Sequence, residues 1–488
     1  MFPSGESCGI RIVVLVNPAS RDFLLAFDCG STNFKAAIFD AGGRRLADHT
    51  EAVRYSLNDG VRVELDPEET WETALRTLRG VSRAAGLAPE ALGTLTFASQ
   101  AQTFTICDDA GRAFMPLLSW LDQRASAEAE ELGRRLARDF HRHCSLGSAV
   151  SQLQLAKMLW AKRCWPAAFA DGRRMASLPG FLALRLAGLN AMDPNLAAMS
   201  GLYSLQTGGW WSEALAAIGL EAVSMPDLAA AGAGVPLRCT HPDFPLPAEA
   251  RVVFAGNDQT CGAMGNDCVA GEWLATLGTA LVVYRCAGEN PGPYHPFTLW
   301  GPWPHGGFYE LATHDKGCAA LDWARERLMP VATPDDFARE AACADPSTSP
   351  LFFPSAIRGP NAWSAEAGLS EMGRAVYEGI LFALRDLIFD DMDAGARLDR
   401  VCAIGGGSQP DFRLQLMADI LERPVRRGTG DALDGAARLA RGRLIPRSES
   451  EGRQWIPSPT GVHLSAERHA RWKAMNRARF SLRSEGKA

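Results

Sequence analysis

At 488 residues, 47% hydrophobic and 22% charged, the chain has the composition of a globular protein and is too long for one core, so two or three domains are expected. A formal charge of −6 argues against a nucleic-acid or membrane-surface role driven by charge. The twelve cysteines show no C-x-x-C pair and no repeated spacing, which fits reduced thiols in a cytosolic protein and not a disulfide framework.

Residues 1–22 read as an N-terminal extension. Their apolar run Ile10–Val16 is too short to span a bilayer, and no small-residue cleavage site follows it. Two strand-like runs, Phe23–Phe27 and Ala36–Phe39, then bracket Asp28-Cys29-Gly30-Ser31-Thr32-Asn33-Phe34-Lys35. A carboxylate at a strand end, followed by a Gly and two hydroxyls in a tight turn, suits a metal–phosphate group: Gly30 admits close backbone approach, and Ser31 and Thr32 add short donors. The turn returns into a strand and lacks Gly-Lys-Ser/Thr, which excludes a P-loop. Taken alone, the segment is equally an ordinary hairpin.

Arg45–Tyr55 reads as a third antiparallel strand and Val61–Leu65 as a short one. A helix starts at Asp66-Pro67-Glu68-Glu69, with Pro and acids in its first turn, and runs through Trp71, Leu75 and Leu78 to about Gly86. With the strand Leu95–Ala98 this makes a mixed-sheet α/β unit. Residues 126–220 are mainly helical, and Trp210-Trp211 read as packing anchors. His141-Arg142-His143-Cys144 has no second ligand pair and reads as structural, not as a metal site. The interdomain hinge is placed near the proline-rich passage Pro242–Pro247. Arg251–Ala255 then restarts a buried strand that leads into Asn257-Asp258-Gln259 and opens the second domain. There, strand Glu272–Leu277, Gly278-Thr279 and strand Ala280–Arg285 repeat the first hairpin, so that each of two related domains offers one phosphate turn. A β region at 294–313, helices Cys318–Leu328 and Gly373–Ala394, strand Arg400–Ile404 and the turn Gly405-Gly406-Gly407 follow. The tail from Arg468 reads as a solvated helix. The domain division is thus 23–248, 249–445 and a helical tail at 446–488.

Five segments in this order resemble the FGGY family of carbohydrate kinases, in the sugar kinase, heat-shock ATPase and actin superfamily. They are Asp28–Lys35; Val61–Trp71, reading VRVELDPEETW; Ser99–Arg124, ending Trp120-Leu121-Asp122-Gln123-Arg124; Ala255–Gly265, reading AGNDQTCGAMG; and Ala403–Leu421, with Gly405–Gly407, Gln415 and Asp419. The likeness runs from about Leu24 to Arg441. It implies an α/β fold of two ribonuclease-H-like (actin-like ATPase) domains with a central cleft, the sugar held mostly by the first and ATP by the second. It also implies transfer of the γ-phosphoryl group of ATP to a hydroxyl of a ketose or polyol.

Within that reading Asp258 is the candidate base for the acceptor hydroxyl, with helix N-capping as its alternative role. Asp28 would hold Mg²⁺, largely through water. Gly30, Ser31, Thr32, Lys35, Gly278 and Thr279 are candidates for the phosphates, Lys35 having a solvent-facing alternative. Gly317, Asp322, Gly405, Gly406 and Gly407 are candidates for the rest of ATP. Gln100, Gln102, Asp122, Arg124, Asn257 and Gln259 supply donors and acceptors for sugar hydroxyls, although Arg124 could simply pair with Asp122 at the surface. Three positions depart from the family: Cys318 stands where Gly is usual, Asn257 where a small residue is usual, and Ala101-Gln102 where xylulose kinases carry Met-His. The expected partners are ATP and the sugar or polyol, with a homodimer as an open assembly and neither nucleic acid nor membrane. A degenerate sugar sensor and an ATP-driven conformational protein of the same superfamily are the alternatives.

Overall fold

The computed structural model describes residues 23–220, 223–269, 271–289, 298–314, 317–357, 361–392, 396–442 and 453–485, with side chains in the last helix as far as residue 478. The N-terminal extension, the tail segment 446–452, residues 294–297 of the predicted β region and the end of the predicted long helix (393–394) lie outside these residues.

The first sheet contains β1 (Phe23–Cys29), β2 (Asn33–Phe39), β3 (Arg45–Ala52), β4 (Leu92–Ser99), β5 (Val235–Pro236) and β6 (Arg251–Asn257), in the order β5-β6-β4-β1-β2-β3. β1 pairs antiparallel with β2 and parallel with β4, and β4 pairs parallel with β6. The second sheet contains β7 (Glu272–Leu277), β8 (Leu281–Cys286), β9 (Thr298–Pro302), β10 (Phe308–His314), β11 (Arg400–Ile404), β12 (Val425–Arg427) and β13 (Gln454–Trp455), in the order β9-β10-β8-β7-β11-β12-β13. Its centre repeats the first: three antiparallel strands, then parallel pairing of β7 with β11 and of β11 with β12. The two glycine turns of the sequence occupy the same place in each copy, between the first two strands.

Alternation along the strands decides what faces what. Phe23, Leu25 and Phe27 of β1, with Phe34, Ala36 and Ile38 of β2, pack towards α1 (Pro67–Ala85). Leu24 and Ala26, with Ala37 and Phe39, pack on the opposite face against α5 (Asp258–Gly265) and α9 (Ala432–Ala440). α1 is capped as its sequence predicts: the Asp66 carboxylate accepts from the N–H groups of Glu68 and Glu69, and Gly86 ends the helix at φ 66°.

Two expectations are corrected here. Arg251–Asn257 belongs to the first sheet, where Phe254 stacks on Phe97 with ring centroids 6.1 Å apart. A strand buried on both faces is apolar throughout and carries no mark of which sheet it joins. The proline passage is likewise no hinge, because Phe244 is buried in the first core, Asp243 pairs with Arg79 at 3.1 Å, and His241 packs on Trp71. The crossing comes later, at α5, which follows β6 yet packs Gly262 on Leu274 and Ile404 of the second sheet. In return α9, which follows β12, lies on the first sheet. The two helices meet backbone to backbone. A Cβ on Gly435 would sit 1.8 Å from the Cys261 carbonyl oxygen, and one on Gly265 would sit 2.1 Å from that of Asp431.

The tail is not simply solvated. α10 (Pro459–Glu485) buries Arg468 and Trp472 against α7 (Leu369–Asp386) and the segment before it. Arg468 Nε donates to Glu378 at 2.9 Å, its Nη groups donate to the carbonyls of Pro346, Ser349 and Pro350, and Trp472 Nε1 donates to Phe352 O. Gln415 and Asp419 on α8 (Asp411–Leu421) serve this tail as well: Asp419 accepts from Ser458 N–H and from Gln415, whose amide also reaches Ile456 O. Arg468→Ala strips one counter-charge from buried Glu378 and is expected to destabilise the protein by about 3 kcal/mol. The urea midpoint checks this, and an unchanged midpoint would show that the Arg468–Glu378 pair contributes nothing.

Candidate active site

Asp28 is an even member of β1, so its carboxylate leaves the strand on the face of α5 and α9, and Lys35, paired with Asp28 across β1–β2, emerges on the same face. Behind the first turn, every carbonyl is held from within. Gly30 O accepts from Gln100 Nε2 (3.2 Å), Ser31 O from the Tyr55 hydroxyl (2.9 Å) and Thr32 O from Val53 N–H (2.9 Å). A trans peptide points each N–H away from the preceding carbonyl, so the N–H groups of Ser31 and Thr32 are turned away from these donors. The second turn is built the same way from the N-terminus of α6 (Cys318–Leu328). Gly278 O accepts from Cys318 N–H at 2.7 Å, and Thr279 O accepts from the N–H groups of Gly317 and Ala319.

The glycine run after β11 closes on that second turn. Gly405 has φ +87°, and a Cβ there would meet Leu277 O at 2.8 Å; a Cβ on Gly407 would meet Arg413 Nη1 at 2.4 Å and Cys318 Sγ at 2.6 Å. Gly406 faces open space. Gly278, Thr279, Gly317 and Gly405–Gly407 therefore form one continuous surface, with exposed Asp322 one helical turn along α6 from Cys318. Arg413 lies buried behind them with Nη1 3.3 Å from Cys318 Sγ, so the cysteine at this unusual position has a specific cationic neighbour.

Asp258 begins α5. It shares its expected alternative role, capping, with its neighbour: Gln259 N–H donates to Asp258 Oδ1 at 2.8 Å and to Oδ1 of Asn257, the N-cap in extended conformation, at 2.9 Å. The left-handed residue here is Gly256, at φ +107°. Asn195, at the start of α4 (Pro194–Ala198), holds this loop, accepting from Asn257 N–H (2.9 Å) and donating to Thr260 Oγ1 (3.0 Å) and to Pro302 O of β9 (2.8 Å). Gln259 Oε1 accepts from Thr276 on β7, which ties Asp258 to the strand before the second turn.

The two acids share one electrostatic environment. Burial above all, and then the negative charge of Asp258, push the Asp28 pKa up to about 8, while Lys35 pulls it down and Asp431 raises it. Burial raises Asp258 to about 6 against hydrogen bonds from Gln259, Asn257 and its own backbone, with Lys35 again lowering it. Lys35 thus acts on both carboxylates, although its side chain is exposed. Asp28 Oδ1 is buried and has no hydrogen-bond partner. An unpartnered carboxylate oxygen beside a second acid fits a hard divalent cation, which would offset the repulsion.

The sugar-side candidates divide. Gln100 is buried, with Nε2 on Gly30 O and Oε1 accepting from Thr103 Oγ1, so it braces the first turn. Asp122 and Arg124 do pair, but inside the protein and not at the surface. Arg124 donates to both Asp122 oxygens and to Glu64 and lies 4.7 Å over the Trp160 ring, while Asp122 also accepts from Val63 N–H at 2.7 Å. These two frame the loop and have little capacity left for hydroxyls. Gln102 stands at φ +65° with a buried, unpartnered Oε1. Asn195, Thr276 and Arg413 escape sequence reasoning, because each acts on a segment distant in the chain.

The chain matches the N-terminal domain of the FGGY family of carbohydrate kinases over residues 23–265 and the C-terminal domain of the same family over residues 314–440. A xylulose kinase of Klebsiella pneumoniae is 28% identical over 445 residues, spanning 85% of this chain and 89% of that one. A glycerol kinase of Thermus brockianus is 27% identical over 449 residues, spanning 83% and 86%. The structure of a ligand-bound xylulose kinase from Lactobacillus acidophilus shares the fold, with a TM-score of 0.83 at 18% identity, covering 93% of this chain and 98% of that one. The fold and the matched domains define an α/β phosphotransferase of the actin-like ATPase type. The chain belongs to the FGGY family of carbohydrate kinases and is an ATP-dependent carbohydrate kinase with an alcohol group as acceptor.

Because the folded protein holds a proton on Asp28 that the unfolded chain releases near pH 3.8, this group costs the apoprotein stability progressively as pH rises from about 4 to about 8. In EDTA, the melting temperature of Asp28→Asn is expected to exceed wild type by a margin that grows over that range and levels off above it. A margin independent of pH would contradict the charge on Asp28 as its cause.

Proposed function

We propose that the chain phosphorylates a ketose or polyol with Mg²⁺–ATP, using Asp258 as the base for the acceptor hydroxyl. The observation that carries the reading is the common environment of Asp28 and Asp258, two carboxylates from neighbouring ends of one sheet, with Lys35 acting on both. Relatives named as xylulose and glycerol kinases support the acceptor class. Asp28 would hold Mg²⁺, which when bound supplies positive charge beside the phosphates.

Asp258 takes the hydroxyl proton as the oxygen attacks the γ-phosphorus and the bond to the β-γ bridging oxygen breaks, leaving ADP. The N–H groups of the first turn with Ser31 and Thr32, and those of the second with Thr279, bind phosphate oxygens from opposite sides. Lys35 adds charge where the transferred group passes. Gly317, Asp322 and Gly405–Gly407 border the nucleoside, and Gln102 and Gln259 meet the acceptor. The cytoplasm suits the described cysteines, all of them free thiols. No described helix is long and apolar enough to cross a membrane.

Coupled ADP release across ketoses, polyols and sugar acids tests the reading, with acceptor-dependent turnover expected for one of the first two classes. Asp258→Asn is expected to lower kcat by about 10²- to 10⁴-fold with the ATP KM retained. Since the base works deprotonated, wild-type kcat/KM for the acceptor at saturating Mg–ATP is expected to fall about tenfold per pH unit below about 6 and to level off above it. A fully active Asp258→Asn, or a flat profile from pH 5 to 7, would remove Asp258 from the chemistry.

A further inference from the structure

Lys157 is a charged side chain that reaches the acceptor loops from another element and that the mechanism above does not use. It lies on α2 (Gln154–Cys164) and is entirely buried. Its Nζ donates to two backbone carbonyls from different loops: Gln102 O at 2.9 Å and Ser119 O at 2.7 Å. The Gln102 loop leads from β4 and carries Gln100. The Ser119 loop carries Trp120, exposed to solvent, and the buried Asp122–Arg124 pair.

We infer that Lys157 is a positioning residue for the acceptor pocket, its ammonium fixing the gap and relative tilt of the loops 99–103 and 119–124. Three observations converge on this. Gln102 keeps a left-handed backbone, which a residue with a Cβ adopts only when its surroundings hold it there, and Lys157 grips that residue's own carbonyl. A second tie joins the same loops, since Thr103 Oγ1 accepts from Trp120 N–H at 3.1 Å and donates to Gln100 Oε1 at 3.1 Å, which links the loops to the first phosphate turn. Finally, a buried lysine is expensive: burial pulls its pKa down to about 7, with Asp122 opposing and Arg124 adding to the shift, and its Nζ lies 5.8 Å from the centroid of the apolar Phe104 ring. Two backbone carbonyls could be hydrogen-bonded by a neutral side chain at lower cost, so the lysine is best explained by the reach of a long stem and three donors.

The inference rests on the kinase reading and on the acceptor meeting Gln102. The acceptor with the highest kcat/KM in the panel above serves as the probe. Lys157→Met keeps the apolar stem and removes the donors. Its acceptor KM is expected to rise tenfold or more, with the ATP KM within twofold of wild type and the variant folded by circular dichroism. An unchanged acceptor KM in the folded variant, or an equal rise in both KM values, would overturn the inference while leaving the kinase reading intact. Should Lys157→Met be insoluble, Thr103→Val removes the second tie without touching a buried charge. A selective rise of about fivefold in its acceptor KM supports the clamp, and no rise overturns it. A wild type that phosphorylates no acceptor would overturn both readings.

Discussion

Gly265 and Gly435 bring the backbones of α5 and α9 into direct contact, and the place of Asp258 follows from that crossing. Each helix continues one sheet and packs on the other, so their contact joins the two halves of the molecule. Asp258 heads α5, and Asp28 leaves β1 on the face these helices cover. A side chain at either glycine would push the helix backbones apart at Cys261 and Asp431 and so shift α5, the helix that Asp258 heads. Small residues on the sheet beneath, Ala26, Ala37, Ala98 and Ala255, permit the same closeness. The placement of Asp258 relative to the first sheet is thus a consequence of backbone packing, which side-chain motion cannot easily disturb.

The two turns also share a construction, although different partners hold them. The first turn uses Gln100, Tyr55 and Val53 to occupy its carbonyls, whereas the second uses the first N–H groups of α6. In both, acceptors are consumed on the protein side, and the planar peptide turns donors the other way. A surface for anions arises here without a dense cluster of lysines, consistent with a chain whose net charge is negative.

The sequence is legible where a local rule suffices. Asp28–Lys35 announces a turn through Gly, two hydroxyls and flanking alternation, and the copy at 272–285 is readable for the same reason. Legibility ends where partners are distant. Asp122 and Arg124 are two residues apart in the chain, but the Glu64 that completes the set comes from the strand Val63–Leu65. The tail from Arg468 reads as a solvated helix, yet Arg468 is buried, since helical periodicity records spacing and not the acceptors waiting on the facing element. Arg251–Asn257 is plainly a strand, yet its membership depends on β4, more than 150 residues earlier, offering a free edge.

Three ionisable groups along the first sheet and its loops, Asp28, Asp258 and Lys157, are all shifted by burial towards their neutral forms. For Asp28 the shift corresponds to several kcal/mol by order of magnitude, a sizeable part of what a domain has in reserve. Such groups persist in a fold only if something else makes the charged form worthwhile. Asp28 Oδ1 has no hydrogen-bond partner within the protein, whereas Asp258 Oδ1 accepts from Gln259 N–H. Lys157 differs, because its Nζ is already held by two backbone carbonyls of the protein itself. The acids are therefore the part of the site whose energetics a bound cation and phosphate would change, and the lysine the part that stays fixed while they do. A kinase needs both: a rigid seat for the hydroxyl, and carboxylates whose ionised state depends on the loaded nucleotide.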